Sequence, residues 1–119
     1  FRVAVLGAML ELGADESDLH RQVGAYAARQ GIDAVVVVGS ERDEHLEGLA
    51  AALADGARDA GAGARDASSV DLVKGIADAD AVVRGYARRH PGTVVLLKGS
   101  HASGLSTLAE RWDHERLTV

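Results

Sequence analysis

Four short apolar runs punctuate the chain, and each stops at a glycine or a polar turn. Val3-Ala4-Val5-Leu6 ends at Gly7, Ala34 to Val38 ends at Gly39, and Val94 to Leu97 ends at Lys98-Gly99; Val70 to Val73 is a weaker fourth. Such runs, aliphatic without polar alternation, read as strands buried on both faces. Between them the apolar spacing changes to three and four. Leu19, Val23, Tyr26 and Ala27 predict a helix from about Asp15 to Gln30, with acids in its opening turn and Gly31 as its C-terminal cap. Leu46, Leu49, Ala50 and Leu53 predict a second from about Glu41 to Ala60, weakened by Gly48 and Gly56 and ended by the turn from Gly61 to Gly63. A third is expected to begin at Asp78 or Asp80 and to carry Ala81, Val82, Gly85 and Tyr86 until Pro91-Gly92 stops it. Leu105, Leu108, Ala109 and Trp112 mark a fourth.

Strand and helix alternate four times, which predicts parallel strands joined by right-handed crossovers. The expected fold class is therefore α/β: a Rossmann-like, doubly wound, mostly parallel sheet with helices on both faces. In such sheets ligands lie beyond the carboxyl ends of the strands. The loops after Leu6, Val38 and Leu97 are the places to look for function. No internal repeat or low-complexity linker divides the 119 residues, a length suited to one domain.

Composition narrows the picture. Hydrophobic residues make up 47% but aromatic ones only 3%, so the core must be built from Ala, Val, Leu and Ile in thin layers. The net charge of -5, with basic pairs such as Arg88-Arg89 diluted by acids, excludes an electrostatic nucleic-acid binder. The absence of cysteine excludes disulfides, thiolate metal sites and a cysteine nucleophile, and fits a reducing compartment. No His-x-x-x-His spacing occurs, and the acidic stretch from Glu41 to Glu47 reads as a solvated helix start rather than a metal site. The apolar runs fall far short of the ~20 residues of a membrane span, and neither a signal peptide nor a lipidation motif is visible. Neither Gly-x-Gly-x-x-Gly nor Gly-x-x-x-x-Gly-Lys-Ser/Thr is present, so cradling a nucleotide triphosphate is not work for this chain alone.

The loop Gly7-Ala8-Met9-Leu10-Glu11-Leu12-Gly13 is unusually apolar, and something is expected to cover it. Val5 to Gly13, then Leu19-His20-Arg21-Gln22-Val23-Gly24, then Val95-Leu96-Leu97-Lys98-Gly99-Ser100, together resemble the third domain of the Mur ligases, in the branch that adds D-alanyl-D-alanine. The likeness covers nearly the whole chain. Ala8 stands where the family usually has Asp, and His101 where it more often has Arg or Asn.

The resemblance implies one domain of a three-domain cytoplasmic enzyme of peptidoglycan precursor synthesis. An amino-terminal domain would hold the UDP-N-acetylmuramoyl tripeptide, and a central domain with a phosphate loop would bind ATP and Mg2+. This chain would be the mobile third domain, inactive alone, covering residues 1–119 and lacking the family domain's first strand and its Asp-x-Tyr-Asn-Ala-Asn-Pro motif. No nucleic acid, membrane or metal site on this chain is implied. The implied chemistry is phosphorylation of the peptide's terminal carboxylate by ATP, attack of the D-alanyl-D-alanine amine on the acyl phosphate, and collapse of a tetrahedral intermediate with loss of phosphate. On this view Lys98 reaches an anionic group from a strand end. The amides of Gly99 and Ser100 stabilise negative charge at the turn, and His20 contributes an imidazole near the same rim.

By local chemistry alone other readings stay open. Lysine at a strand end commonly snorkels to solvent, Gly99-Ser100 suits a turn and helix N-cap, and His20 suits a satisfied core or surface position. Met9 to Leu12 suits packing against a neighbour more than direct ligand contact. A free-standing Rossmann-like nucleotide or small-ligand binding module fits the missing phosphate loop as well as the ligase domain does, and a structural or partner-binding α/β domain that uses the apolar loop as its interaction patch is a third reading.

Overall fold

A computed structural model of the chain describes residues 1–9, 15–62, 69–99 and 104–118. Eight elements alternate along it: β1 (Arg2–Gly7), α1 (Glu16–Arg29), β2 (Ala34–Val38), α2 (Glu44–Ala62), β3 (Ser69–Val73), α3 (Ile76–Arg89), β4 (Val94–Lys98) and α4 (Leu105–Thr118). The strands form one parallel sheet in the order β3-β2-β1-β4. The α/β doubly wound arrangement read from the periodicity is the one observed.

Both sheet faces are covered, which is why the central strands carry no polar alternation. On one face Ala4, Leu6, Val35 and Val37 pack under Ala50, Leu53, Ala54 and Ala57 of α2, with Val23, Ala27 and Ala28 of α1 beside them. On the other, Val3, Val5, Ala34, Val36 and Val38 meet Ala79, Val83 and Tyr86 of α3 and Leu105 and Leu108 of α4. The layers are as thin as the aromatic-poor composition demands. A Cβ added at Gly24 would lie 2.0 Å from the Leu53 carbonyl oxygen, and one added at Gly56 would lie 1.9 Å from that of Arg21. Glycine at both points lets the backbones of α1 and α2 nearly touch.

Several boundaries differ from expectation for local reasons. The second helix starts at Glu44 rather than Glu41, because Asp43 caps it: its Oδ1 accepts from the amides of His45 and Leu46 at 3.0 and 3.2 Å. Ser40 Oγ holds the preceding turn through the amides of Arg42 and Asp43. The third helix starts earlier than expected, at Ile76, and its buried stripe runs through Ala79, Val83 and Tyr86 rather than Ala81 and Gly85. Tyr26, placed on the apolar face of α1 by its spacing, is 65% exposed. The helix end at Gly31 is as expected, with that glycine at φ 75° just past the last turn.

On β4 the coverage is one-sided. Val95 and Leu97 pack toward α3 and α4, while Val94 and Leu96 are 66% and 58% exposed on the opposite face.

Candidate functional site at the carboxyl edge of the sheet

The chain order reverses beside β1. Strands β2 and β3 lie on one side of it and β4 on the other, so the carboxyl ends of β1 and β4 form the switch point at which open α/β sheets bind ligands. Leu6 is in register with Lys98, and Gly7 with Val38, which brings the three loops marked by sequence to one edge. Lys98 ends β4 and is exposed on the face shared with Val94 and Leu96. Gly99 follows it, also exposed. Ser100 and His101, and Leu10 to Ala14 of the apolar loop, lie outside the described residues.

His20 is not at a solvent rim. It is 0% exposed, with Nε2 accepting the Met9 amide at 2.9 Å and Nδ1 bonded to the Glu16 carbonyl oxygen at 2.6 Å. One neutral tautomer, protonated on Nδ1, satisfies both contacts. Burial of an imidazole without partners would cost free energy, and here both nitrogens are used.

Beside these residues the same edge carries a cleft of about 490 Å³ lined at the ends of β1, β2 and β3. Ala8, Val38, Leu46 and Ile76 give it apolar walls; Arg42 and Lys74 bring positive charge, and Glu41 and Asp78 negative charge. Its size falls in the ~300–1,000 Å³ range of small-molecule sites. Lys74 is held on the rim by Glu47, Nζ to Oε2 at 2.9 Å. The N-cap of α3 is Gly75, with no side-chain cap, so the helix's first turn lines the cleft with its backbone positive pole. The site is thus mainly apolar, with charges of both signs among its lining residues.

None of Lys98, Gly99 and His20 lines that cleft. Sequence reasoning marked the loop after Val38 as a place to look, yet took Glu41 to Glu47 for a solvated helix start. It passed over Lys74-Gly75 because β3 is the weakest apolar run. The available signal for both was their position directly after a strand. Ala8 is 3% exposed, and its methyl group forms part of the wall. Among the described residues no group of three or more His, Asp or Glu side chains is placed to hold a metal ion, and no helix is long and apolar enough to cross a membrane.

The sequence profile described as Mur ligase, glutamate ligase domain, matches residues 2–101. The chain is 37% identical over 108 residues to the UDP-N-acetylmuramoyl-tripeptide--D-alanyl-D-alanine ligases of Mycobacterium bovis and Mycobacterium tuberculosis, covering 90% of this chain and 21% of theirs. It is 35% identical over 107 residues to that of Mycobacterium leprae, covering 90% of this chain and 19% of the relative. It thus spans about a fifth of the length of the curated relatives it matches. A crystal structure of MurF from Acinetobacter baumannii superposes with a TM-score of 0.70 at 23% identity, over 93% of this chain and 22% of that one, which supports the fold. A match over most of its length to the family profile, and over 90% of it to mycobacterial relatives, establishes that the chain belongs to the Mur ligase family, as its C-terminal domain.

Proposed function

We propose that this domain serves a ligase that joins D-alanyl-D-alanine to a UDP-N-acetylmuramoyl tripeptide with conversion of ATP to ADP and phosphate, in cytoplasmic peptidoglycan precursor synthesis. Its part is to receive the dipeptide and bring its amine to the activated carboxyl carbon. The observation that carries this reading is the mixed-charge cleft at the carboxyl ends of β1 to β3. D-Alanyl-D-alanine is a zwitterion with two methyl groups. Arg42 and the first turn of α3 suit its carboxylate, Asp78 or Glu41 its ammonium group, and the Ala8, Val38, Leu46 and Ile76 walls its methyls.

Lys98, with Gly99 and Ser100 after it, is assigned to the phosphorylated peptide end arriving from the rest of the enzyme, across the switch point from the cleft. His20 holds the Met9 amide just past β1. ATP and Mg2+ are assigned to the part of the enzyme this chain does not span. That assignment is supported by the absence of a phosphate loop from this sequence. Holding amine and acyl carbon together converts a bimolecular encounter into an effectively unimolecular one, with roughly 7–11 kcal/mol available in ideal cases. Closing the domain excludes water that would hydrolyse the acyl phosphate.

The test is ADP release by the full-length enzyme. Release should require the UDP-linked tripeptide and rise to its full rate only with D-alanyl-D-alanine; a rate indifferent to the dipeptide would contradict the assignment.

A further inference from the structure

We infer that His20 is a positioning residue that sets the spacing of the cleft's walls, an inference that rests on the dipeptide reading of that cleft. The sheet's hold on the chain ends early. The last register pairs of β1 are Leu6 with Lys98 and Gly7 with Val38, so Met9 lies two residues past them. Met9's amide is held instead by His20 Nε2, a fully buried acceptor eleven residues further along the chain. Ala8, one residue back, is the wall contributed from β1.

The other ring nitrogen extends the tie. Nδ1 donates to the carbonyl of Glu16, the first residue of α1, and the Glu16 carboxylate meets His45 Nε2 of α2 at 3.2 Å. His45 also gives its amide to Asp43, the residue next to the Ser40-Glu41-Arg42 wall. One connected path, Met9–His20–Glu16–His45–Asp43, therefore spans from the wall after β1 to the wall after β2. A leucine at this position of α1 would fill the same buried space. Only a side chain with an acceptor at the ring's far end holds the Met9 amide.

The substitutions follow from that geometry. In His20→Gln the amide oxygen reaches the position of Nε2 and restores the acceptor; in His20→Leu the volume is kept and the acceptor lost. In the full-length enzyme, His20→Leu should raise KM for D-alanyl-D-alanine by about five- to tenfold, the scale of one neutral hydrogen bond, with KM for ATP held. His20→Gln should return the dipeptide KM to within about threefold of wild type. Hydrogen exchange at Met9 should be faster in His20→Leu than in His20→Gln. Equal dipeptide KM values in the two variants, or a Leu variant indistinguishable from wild type, would overturn the inference.

Should the Leu variant fail to fold, nitrogen chemical shifts of 15N-histidine-labelled wild-type protein decide instead. A His20 protonated on Nδ1 with a bare Nε2 is required, and the opposite tautomer overturns it. Wild-type enzyme lacking any dipeptide-dependent ADP release sinks the ligase reading. The Met9 exchange and the tautomer still judge the His20 contact on their own.

Discussion

Asp80 sits where α3 meets α4, and two hydrogen-bond donors and a further guanidinium charge converge on its carboxylate. Oδ1 accepts from Arg84 Nε at 2.8 Å and from Trp112 Nε1 at 2.7 Å, while Arg111 lies 3.9 Å from Oδ2. Burial pushes the carboxyl up. The Trp112 hydrogen bond, the Arg84 hydrogen bond and charge, and the Arg111 charge outweigh it and hold Asp80 below its ordinary value of 3.8. A carboxyl depressed in the folded state stabilises it at all pH values above the unfolded value, and that contribution fades as pH falls through the folded one. Asp80→Asn should therefore lower stability at pH 7 by about 1–3 kcal/mol. The gap from wild type should close only below about pH 3.8, which urea midpoints across the acid range would reveal. A gap unchanged in acid would mean that the charge is not what Trp112 and Arg84 respond to. Lys98 makes the opposite case. Exposed at the end of β4, it supports little of the fold, so Lys98→Ala in the full-length enzyme should leave the thermal midpoint unchanged. Turnover should fall by roughly 10- to 100-fold, the scale of a charged hydrogen bond. Unaltered kinetics would demote it to a surface lysine.

At the scale of elements, the contact of α1 with α2 is set by absent side chains. Gly24→Ala would drive a Cβ to 2.0 Å from a backbone oxygen of α2, which no rotamer change relieves. The helices must separate, at a cost of about 1–3 kcal/mol or more, against the slight gain in helix propensity that alanine brings elsewhere. Denaturation midpoints would show it, with Gly48→Ala, where nothing lies within 4 Å, as the control that gains or holds stability. Gly48 and Gly56 read alike in the sequence, as residues that weaken a helical pattern, yet only Gly56 meets the backbone of α1. Strand positions were more legible, because a run such as Ala34 to Val38 has no other stable home than a sheet covered on both faces. Helix starts were less so. The onset of α2 is fixed by the Asp43 side chain meeting two amides, and the onset of α3 by a turn that leaves Gly75 as its cap; neither is a matter of period. The site was legible as a set of strand ends. The cleft itself was not, since Arg42 lies 32 residues before Lys74 and 36 before Asp78 and only parallel pairing of β2 with β3 brings the two segments together. His20 was legible as a motif residue, but its burial under Met9 follows from the α1 packing rather than from any local pattern.

At the scale of the whole molecule, the chain carries a cleft and a cationic strand end but no phosphate loop, and it spans about a fifth of its relatives' length. That division predicts how a defect here should propagate through the reaction. On the proposed function, phosphoryl transfer would move the terminal phosphate of ATP to the tripeptide carboxylate and release ADP, and it would need no dipeptide. Amide formation would follow: the dipeptide's ammonium group loses one proton to become the attacking amine, its nitrogen bonds to the acyl carbon, and the tetrahedral intermediate collapses with loss of phosphate and of a second proton from nitrogen. Arg42 belongs to the second step on the reading proposed for the cleft. In the full-length Arg42→Ala variant, exchange of labelled ADP into ATP, measured with the tripeptide substrate and without dipeptide, should stay within about twofold of wild type. Ligation at low dipeptide concentration should meanwhile fall by roughly 10- to 100-fold, as expected when a charged hydrogen bond to a carboxylate is lost. The loss should shrink as dipeptide is raised, because a missing binding contact appears in KM before it appears in kcat. If exchange and ligation fell together, Arg42 would act on the phosphorylated end, and the dipeptide would have to dock elsewhere along the carboxyl edge of the sheet.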